Sequence, residues 1–594
     1  MAIIAPYGTW HSPISSEWLT MSQKKFGTIV LDGTTIYWDE LRPNENGRSV
    51  VVRCTPDGEK KDMTPDSFSV RSRVHEYGGL AFAVHQGKIY YVNDKDQRIY
   101  LDTDPITEPG VRFGDLKIQY PYLVAVGEKG QENFLACLHL PTKKWEKIAS
   151  GQDFYSSPAF DPSGKKLAFL TWNHPQMPWD GTELWVGDFS EGTLKNLQKI
   201  AGNPSESIFQ PQWSPSGELH YVSDRTGWWN LYTQSKHLFP EKAEFGLPGW
   251  VFGMSTYAFA GDQIIAAYVK NGMWTLKGYS LPWTFFTQIR ACPEFVVFIA
   301  GSSLEDRSII KLDLKTKKTT VIAHNIHPHL DAGYISKPQF ITFASKSGQS
   351  AYGFYYAPQN KDYQGPPGSS PPLLVFSHGG PTAATSHTFD LKVQYWTSRG
   401  FAILDVDYTG STGYGRPYRD ALKGTWGIAD VLDCEAGAQH LIRQKKADPK
   451  KIAIRGGSAG GYTTLAALTF GSTFTVGASY YGVSDLTALA EETHKFESHY
   501  LDSLVGPYPA QKQRYLDRSP LYHVDHLKCP VIFFQGAEDK IVPLNQAEKM
   551  FEALKKRGIL TDLVVYEGEQ HGFRKAENIR DALEKELAFY LKAW

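Results

Sequence analysis

One pattern recurs along the first half of the chain, from about residue 25 to about residue 325. Each copy alternates short β-rich strands with Gly, Asp-Gly or other polar turns, as in PQWSPSGELHYVSDRTGWWNLY. The seven copies lie at residues 28–53, 79–100, 120–148, 157–186, 211–232, 254–278 and 294–322. A period of roughly 43 residues matches one four-stranded propeller blade, whereas a pair of β-sandwiches has no reason to be so regular. The sequence therefore predicts a seven-bladed β-propeller over residues 25–330.

From about residue 335 the pattern changes to apolar strands that alternate with helices. The predicted strands are 373–377, 402–407, 452–455, 476–481, 531–535 and 563–566, and the helices include 429–446, 544–557 and 577–591. Such alternation predicts a doubly wound, mostly parallel sheet covered by helices on both faces. We assign this second domain to residues 331–594. Residues 1–24 form an N-terminal segment that we expect to pack on the second domain.

Composition excludes several classes of partner. The net charge is −1 and no long basic block occurs, so nucleic acid is not expected as a partner. The five cysteines are scattered without a C-x-x-C pair, which is typical of a reducing compartment and indicates no zinc or redox site. The N-terminus lacks the features of a secretion signal, and the longest apolar runs are far too short to span a membrane. We therefore expect a cytoplasmic protein with no membrane partner, no metal and no cofactor.

A serine stands where a predicted strand gives way to a helix. Residues 456–460 read GGSAG, the G-x-S-x-G pattern, directly after the strand KIAIR. Small residues allow a tight turn that lifts the Ser458 hydroxyl above the sheet, and the N–H of Ala459 then faces developing negative charge. Glycine-flanked serines are common in ordinary turns, but this strand–turn–helix context predicts a nucleophile in an α/β-hydrolase domain.

A serine nucleophile needs a base and an orienting carboxylate, which follow it in the order acid, then histidine. Asp539 follows the strand 531–535, and His571 follows the strand 563–566. We predict that His571 accepts the proton of Ser458 and that Asp539 orients the imidazole, with Glu538 as the alternative acid. Four other histidines follow the nucleophile but not a late apolar strand, and we expect them at helix caps or on the surface: His494, His499, His523 and His526.

The loop after the first apolar strand reads HGGPT at residues 378–382. Two glycines allow the backbone to approach an oxyanion without a Cβ in the way, as in the H-G-G loops of esterases. A plain glycine turn is the alternative interpretation. The presence of Ser458 favours an oxyanion donor.

Together, the propeller and five motifs resemble the prolyl oligopeptidase family of serine peptidases. The motifs are HGGPT at 378–382, DYTGSTGYGR at 407–416, GGSAGGY at 456–462, GAEDKIVP at 536–543 and EQHGF at 569–573. Three propeller segments look closest to the acylaminoacyl-peptidase and dipeptidyl-aminopeptidase-related branch: RVHEYGG at 73–79, WNHPQMPWD at 172–180 and SDRTGWWNLY at 223–232. The resemblance covers essentially the whole chain.

The resemblance implies roles for individual residues. It implies a triad of Ser458, Asp539 and His571, with the amides of Gly380 and Ala459 as the oxyanion hole. Prolyl oligopeptidase and dipeptidyl peptidase have a tyrosine where this chain has His378, which favours a hole built from backbone amides alone. Substrate-lining residues implied or suspected are Val542, Tyr480, Tyr481 and Phe389, of which the last three could equally belong to the core.

In this family the propeller caps the active site and admits only short peptides, and members that remove amino acids hold the α-amino group with acidic side chains. Glu76 is our candidate for that contact; a structural ion pair with Arg71 or Arg73 is the alternative.

The predicted function is a serine peptidase of the aminopeptidase, dipeptidyl-peptidase or acylaminoacyl-peptidase type that forms an acyl-enzyme. The alternatives are an amidase or esterase for small aminoacyl compounds such as peptide-like antibiotics, and a propeller binding protein with an inactive hydrolase domain. The expected partner is a short peptide or small amide substrate, and a homo-oligomer is left open.

Overall fold

Seven small sheets, built one after another along the chain, form a ring in the first domain. The computed structural model describes residues 2–21, 24–325, 330–345 and 348–594. The strands of blades 1 to 3 are Lys25–Asp32, Thr35–Arg42, Arg48–Cys54 and Lys60–Asp62; Phe82–His85, Lys88–Val92, Ile99–Leu101 and Asp104–Pro105; Arg112–Gln119, Tyr122–Lys129, Glu132–His139 and Lys144–Ala149. Those of blades 4 to 7 are Phe154–Phe160, Lys166–Trp172, Thr182–Ser190 and Thr193–Asn203; Ile208–Trp213, Leu219–Ser223 and Asn230–Thr233; Tyr257–Ala260, Gln263–Lys270 and Met273–Leu276; Phe285–Ala291, Phe295–Gly301, Ser308–Asp313 and Thr319–Ala323. The predicted seven-bladed propeller is confirmed.

Blades 5 and 6 differ from the expected four strands, because each has three in the described part of the chain. The segments that follow their third strands contain Pro240, Pro248 and Pro282. Proline has no N–H to donate to a neighbouring strand, so these positions disfavour a further continuous ladder. The segment after the third strand of blade 5 forms isolated bridges instead of a fourth strand, among them one between Tyr232 and His237 and one between Glu244 and Val269, the latter with N–O distances of 3.0 Å in both directions.

The ring closes by packing between its first and last blades, since each blade is built from consecutive strands. Buried Ile29 and Trp38 of blade 1 share a hydrophobic cluster with Val297 and Ile299 of blade 7. The side-chain amide of Asn325 adds hydrogen bonds of 2.8 and 3.1 Å to the backbone N–H and carbonyl of residue 24. The two ends of the ring are thus held together at the point where the chain passes to the second domain.

The second domain is built on one eight-stranded sheet. In spatial order its strands are Gln339–Ala344, Ser350–Tyr356, Ala402–Asp407, Leu373–Ser377, Ile452–Gly457, Val476–Tyr480, Val531–Gly536 and Thr561–Tyr566. The first two neighbour pairs are antiparallel and the other five are parallel. The carboxyl ends of the parallel strands therefore meet at one edge, where ligands bind in sheets of this kind.

Helices cover both faces of that sheet. They are Leu391–Thr397, Arg416–Asp420, Ala429–Arg443, Ala459–Phe470, Leu486–Glu492, Tyr500–Leu504, Lys512–Arg518, Asn545–Lys556 and Ala576–Ala593. Short 3-10 turns occur at Pro43–Glu45, Ala332–Tyr334, Lys495–Glu497 and Pro520–His523. No helix in the described residues is both long enough and apolar enough to cross a membrane. The predicted propeller-plus-hydrolase architecture is confirmed.

The N-terminal segment lies against the hydrolase domain. Its strand Ile3–Ile4 pairs in parallel with Tyr363–Gln364, and the buried side chains of Ile14 and Leu19 join the hydrophobic cluster under the C-terminal helix.

Charged contacts link the propeller to the hydrolase domain. Asp224 of the propeller accepts hydrogen bonds from Arg416 Nη1 at 2.7 Å and from Arg419 Nη2 at 2.5 Å, and its carboxylate is fully buried. Glu244, also buried, accepts a bond of 3.0 Å from the backbone N–H of Gly415. The carboxyl-end edge of the sheet is thereby held facing the propeller.

Candidate active site

Ser458 occupies the tight turn between the strand Ile452–Gly457 and the helix Ala459–Phe470, with φ 56° and ψ −123°. The turn leaves no room for larger neighbours, because a Cβ on Gly460 would lie 2.1 Å from the carbonyl oxygen of Ser377. A Cβ on Gly456 would likewise lie 2.4 Å from the Ser377 hydroxyl. The small residues of the motif are therefore required by the packing of the turn against the neighbouring strand, and the strain at a non-glycine positive φ is held by that packing.

Asp539 and His571 meet at the same edge of the sheet. The carboxylate oxygen Oδ2 of Asp539 lies 2.7 Å from Nδ1 of His571, and the carboxylate is fully buried. Its other oxygen accepts hydrogen bonds from the backbone N–H groups of Ile541 at 2.9 Å and Val542 at 3.0 Å. Glu538 is exposed, so the structure pairs Asp539 rather than its neighbour with the imidazole. A hydrogen bond at Nδ1 selects the tautomer in which Nε2 is the basic nitrogen.

The glycine loop passes directly over the serine. A Cβ on Gly379 would lie 3.6 Å from the Cβ of Ser458, and Gly380 has φ 123°, a backbone conformation that favours glycine. The His378 ring is held by two other residues of the domain: it stacks on Tyr408 with ring centres 4.2 Å apart, and its Nε2 lies 2.7 Å from the Ser411 hydroxyl. Burial lowers the pKa of His378 to about 4, so this side chain is a neutral structural group.

Two spaces open beside Ser458. The first, which we call the large cavity, has a volume of about 620 Å³ and lies between the propeller and the sheet edge. The second, which we call the small apolar pocket, is walled mainly by aliphatic and aromatic side chains of the hydrolase domain. Ser458 and Gly380 line both, whereas His571 lines the large cavity and Ala459 lines the pocket. A substrate bound at the serine would thus have its two halves in different surroundings.

Comparison with known proteins gives the family. The model of the prolyl oligopeptidase family matches residues 387–594, which include Ser458, Asp539 and His571. The solved structure of a puromycin-hydrolyzing peptidase from Mycobacterium tuberculosis is 34% identical, with a TM-score of 0.95 over 99% of this chain and 97% of that one. The chain belongs to the prolyl oligopeptidase family. The resemblance drawn from the motifs is therefore confirmed.

Curated members of the prolyl oligopeptidase family match over shorter regions. Dipeptidyl aminopeptidase BIII of Pseudoxanthomonas mexicana is 30% identical over 250 residues, which cover 41% of this chain and 36% of that protein. The acylamino-acid-releasing enzyme of Arabidopsis thaliana is 30% identical over 216 residues, which cover 34% of this chain and 28% of that protein. The chain thus spans about a third of the length of these curated relatives.

Three of the predicted substrate-lining residues lie beside Ser458. Val542 is buried in the wall of the small apolar pocket. Tyr481 lines the large cavity and packs edge-on against His571, with ring centres 4.8 Å apart. Tyr480 lines the same cavity, but its hydroxyl lies 2.6 Å from a buried carboxylate oxygen of Glu586 and faces the core.

The other two candidates lie elsewhere. Phe389 packs in the hydrophobic cluster under the C-terminal helix, in keeping with the core alternative. Glu76 lies 2.6 Å from Arg112 Nη1 and lines a separate groove with Glu128 and Lys495. Its ion pair is therefore made with Arg112, which neither the anchor hypothesis nor the Arg71 or Arg73 alternative anticipated.

The structure also brings residues to the site that local sequence patterns do not indicate. Glu497, in a 3-10 turn, is a carboxylate in the wall of the otherwise apolar pocket. Its two oxygens lie 3.1 Å from the Tyr77 hydroxyl and 3.1 Å from His494 Nε2. Tyr77 and Trp250 of the propeller line the large cavity, and Trp250 Nε1 donates to the carbonyl of Thr382 at 2.7 Å. The HEYGG segment thus reaches the site through Tyr77 and not through Glu76.

Proposed function

We propose that this chain removes single aminoacyl groups with a free α-amino group from short peptides or small aminoacyl amides, through an acyl-enzyme on Ser458. The observation that supports this most is the arrangement of Asp539 and His571 at the sheet edge beside Ser458, next to a small apolar pocket whose wall contains one carboxylate. The propeller covers this edge and would exclude folded proteins.

In the acylation step, His571 Nε2 takes the proton of the Ser458 hydroxyl while the serine oxygen attacks the substrate carbonyl carbon. The negative charge that develops on the carbonyl oxygen would be stabilised by the N–H groups of Gly380 and Ala459. Asp539 stabilises the imidazolium across the 2.7 Å bond at Nδ1. The protonated imidazole then gives its proton to the leaving amine, the carbon–nitrogen bond breaks, and an ester remains on Ser458. Water, deprotonated by the same imidazole, hydrolyses that ester and restores the enzyme.

Glu497 is our candidate for recognition of the substrate's α-ammonium. It lines the pocket that also contains Val542, the residue proposed to contact the side chain before the scissile bond. A neutral tyrosine hydroxyl and an imidazole hold its two oxygens. A charge-assisted hydrogen bond from the substrate's ammonium to this carboxylate is worth about 1.5–3 kcal/mol, or roughly 10- to 150-fold in kcat/KM. The puromycin-hydrolyzing relative, similar over its whole length, supports a small aminoacyl substrate.

The test compares alanyl p-nitroanilide, alanyl-alanyl p-nitroanilide and N-acetyl-alanyl p-nitroanilide as substrates. We expect the free aminoacyl compound to be cleaved at least about tenfold better than its acetylated form, and Glu497→Gln to remove most of that preference. Glu76→Gln, which removes the carboxylate paired with Arg112, is the matched control and should keep the preference. Ser458→Ala should lose turnover and labelling by a fluorophosphonate probe.

The outcomes separate the candidate functions. Faster cleavage of the dipeptidyl compound, or of the acetylated compound, would replace our proposal by a dipeptidyl-peptidase or acylaminoacyl-peptidase function, as the names of the curated relatives suggest for those proteins. A native protein that neither turns over any of the three nor reacts with the probe would instead be a propeller binding protein with an inactive hydrolase domain.

A further inference from the structure

The large cavity continues well beyond the reacting atoms and ends in positive charge. Near the serine its walls are aromatic or aliphatic, with Tyr481 and Phe573 beside His571 and Ile579 and Leu583 farther along the C-terminal helix. Lys25, the first residue of blade 1, and Lys392, in the helix Leu391–Thr397, line the same space. The cavity is therefore an apolar space with ammonium groups in its wall.

These two ammonium groups are not neutralised within the chain. In the part of the chain that the structure describes, neither Lys25 nor Lys392 has a carboxylate within 4.0 Å, although Asp390 lies in the neighbourhood. Both lysines are exposed where they line this cavity. Desolvation by the surrounding protein and the nearby charges of Lys392 and Arg574 lower the pKa of Lys25 to about 8, so the amine is still mainly protonated at pH 7. Like charges at close range in a partly enclosed space favour a bound anion.

The other charged groups in the cavity wall do not neutralise the two lysines. Arg455 is already paired with Glu586 at 2.7 Å, so its charge is balanced. Asp405 lines the cavity, but burial and the nearby carboxylates of Asp407 and Asp390 raise its pKa well above the usual range. Its carboxyl therefore ionises less readily than that of an ordinary aspartate, and even when ionised it is outnumbered by Lys25 and Lys392. The net charge of the wall is positive.

The geometry points to a leaving-group site: we infer that Lys25 and Lys392 bind the free α-carboxylate of a short peptide whose residue after the scissile bond is apolar or aromatic. His571 gives its proton to the leaving amine, so this part of the substrate must lie beside the imidazole, which lines the large cavity and not the small apolar pocket. The volume of about 620 Å³ suits a residue of this size, since sites for small ligands span roughly 300–1,000 Å³. This inference rests on the proposed function and adds its substrate class, free di- and tripeptides.

The experiment uses two ligands that differ only in the terminal charge, alanyl-phenylalanine and alanyl-phenylalanine amide. For the native enzyme we expect kcat/KM to be about tenfold higher for the free acid, as one charge-assisted contact provides. In the double variant Lys25→Met and Lys392→Met, which keeps the aliphatic stems, the acid should lose this advantage to within about twofold. Lys450→Met is the matched control, because Lys450 is exposed like Lys25 and Lys392 but lies beside the amino end of the strand that carries Ser458 at its other end.

Equal cleavage of acid and amide by the native enzyme, or an unchanged preference in the double variant, would overturn the inference. A misfolded variant is recognised by its loss of fluorophosphonate labelling. In that case the salt dependence of the native enzyme tests the inference. If the contact is ionic, the preference for the acid over the amide should shrink as salt is raised from about 0.01 to 1 M. Binding of the two peptides to Ser458→Ala can be measured by calorimetry without turnover. Tighter binding of the acid would support the carboxylate site even if the proposed hydrolysis fails. Equal binding of acid and amide would overturn the inference.

Discussion

Asp539→Asn is the sharpest test of the proposed catalytic arrangement, because the surroundings of Asp539 decide which way the new amide must point. One oxygen of the native carboxylate accepts the N–H groups of Ile541 and Val542, and the other accepts His571 Nδ1 and Gln535 Nε2. The two backbone donors cannot be removed. Turning the amide NH₂ toward them would leave two buried donors without an acceptor, at a cost of about 1–3 kcal/mol each.

The asparagine oxygen must therefore face the backbone, and its NH₂ group faces His571 Nδ1. A donor at that position forces the imidazole into the tautomer with the proton on Nε2. The nitrogen that should accept the Ser458 proton is then no longer basic. We expect kcat to fall by about 10⁴-fold, or about 5 kcal/mol of transition-state stabilisation. The free energy of unfolding should fall by about 1–3 kcal/mol, because Gln535 Nε2 loses its carboxylate acceptor and faces the new NH₂ group.

The assay is steady-state hydrolysis of alanyl p-nitroanilide, with Glu538→Gln as the matched control. Glu538 is adjacent in sequence but exposed, so its variant should retain activity close to that of the native enzyme. If Asp539→Asn kept activity within tenfold of the native value while Glu538→Gln lost it, the acid would be Glu538. The catalytic arrangement inferred from the 2.7 Å contact would then be wrong.

Two further predictions concern the contact between the domains. Asp224→Ala should lower the free energy of unfolding by about 3–5 kcal/mol, because it leaves the buried Arg419 and the partly buried Arg416 without their shared carboxylate; an unchanged urea midpoint would contradict this. Burial raises the pKa of Glu244 from 4.5 to about 7, so the folded protein holds this proton more tightly than the unfolded chain does. The stability that this proton provides is present below pH 4.5 and is lost as the pH rises through 7. Between pH 4.5 and 7 the free energy of unfolding of the native protein should therefore fall by about 3 kcal/mol relative to that of Glu244→Gln. Parallel stability–pH curves, measured by urea unfolding, would rule this out.

The sequence predicted the fold closely where the hydrophobic pattern and the turn residues determine the path of the backbone. The strands at 373–377 and 402–407 have the bounds predicted for them, because apolar runs there begin after proline or glycine and end at polar residues. The tight turn at Ser458 could be predicted equally well from the sequence, since only small residues fit its packing. The short blades 5 and 6 were not predicted, because the period of the repeat is the same whether or not a fourth strand forms.

Side-chain direction was the part that the sequence could not supply. Glu76 and Tyr77 are neighbours in one segment, yet the first turns to Arg112 and the second reaches Glu497 in the other domain. No local pattern distinguishes them, because the choice depends on how the propeller docks on the hydrolase domain. Glu497 itself lies in an irregular segment without a motif, so its position in the pocket wall becomes visible only when the fold is complete.

The propeller therefore does more than cover the site, because its side chains line the cavity beside Ser458. It provides Lys25, Tyr77 and Trp250 to the large cavity, and the hydroxyl of Tyr77 holds the carboxylate proposed to select the substrate's amino group. The hydrolase domain alone would keep Ser458, Asp539 and His571 but would lack these contacts. Substrate choice is then a property of the docked pair of domains, whereas the capacity to form an acyl-enzyme belongs to the hydrolase domain. Changes at the interface should for this reason alter the ranking of substrates before they abolish the reaction of Ser458 with a fluorophosphonate.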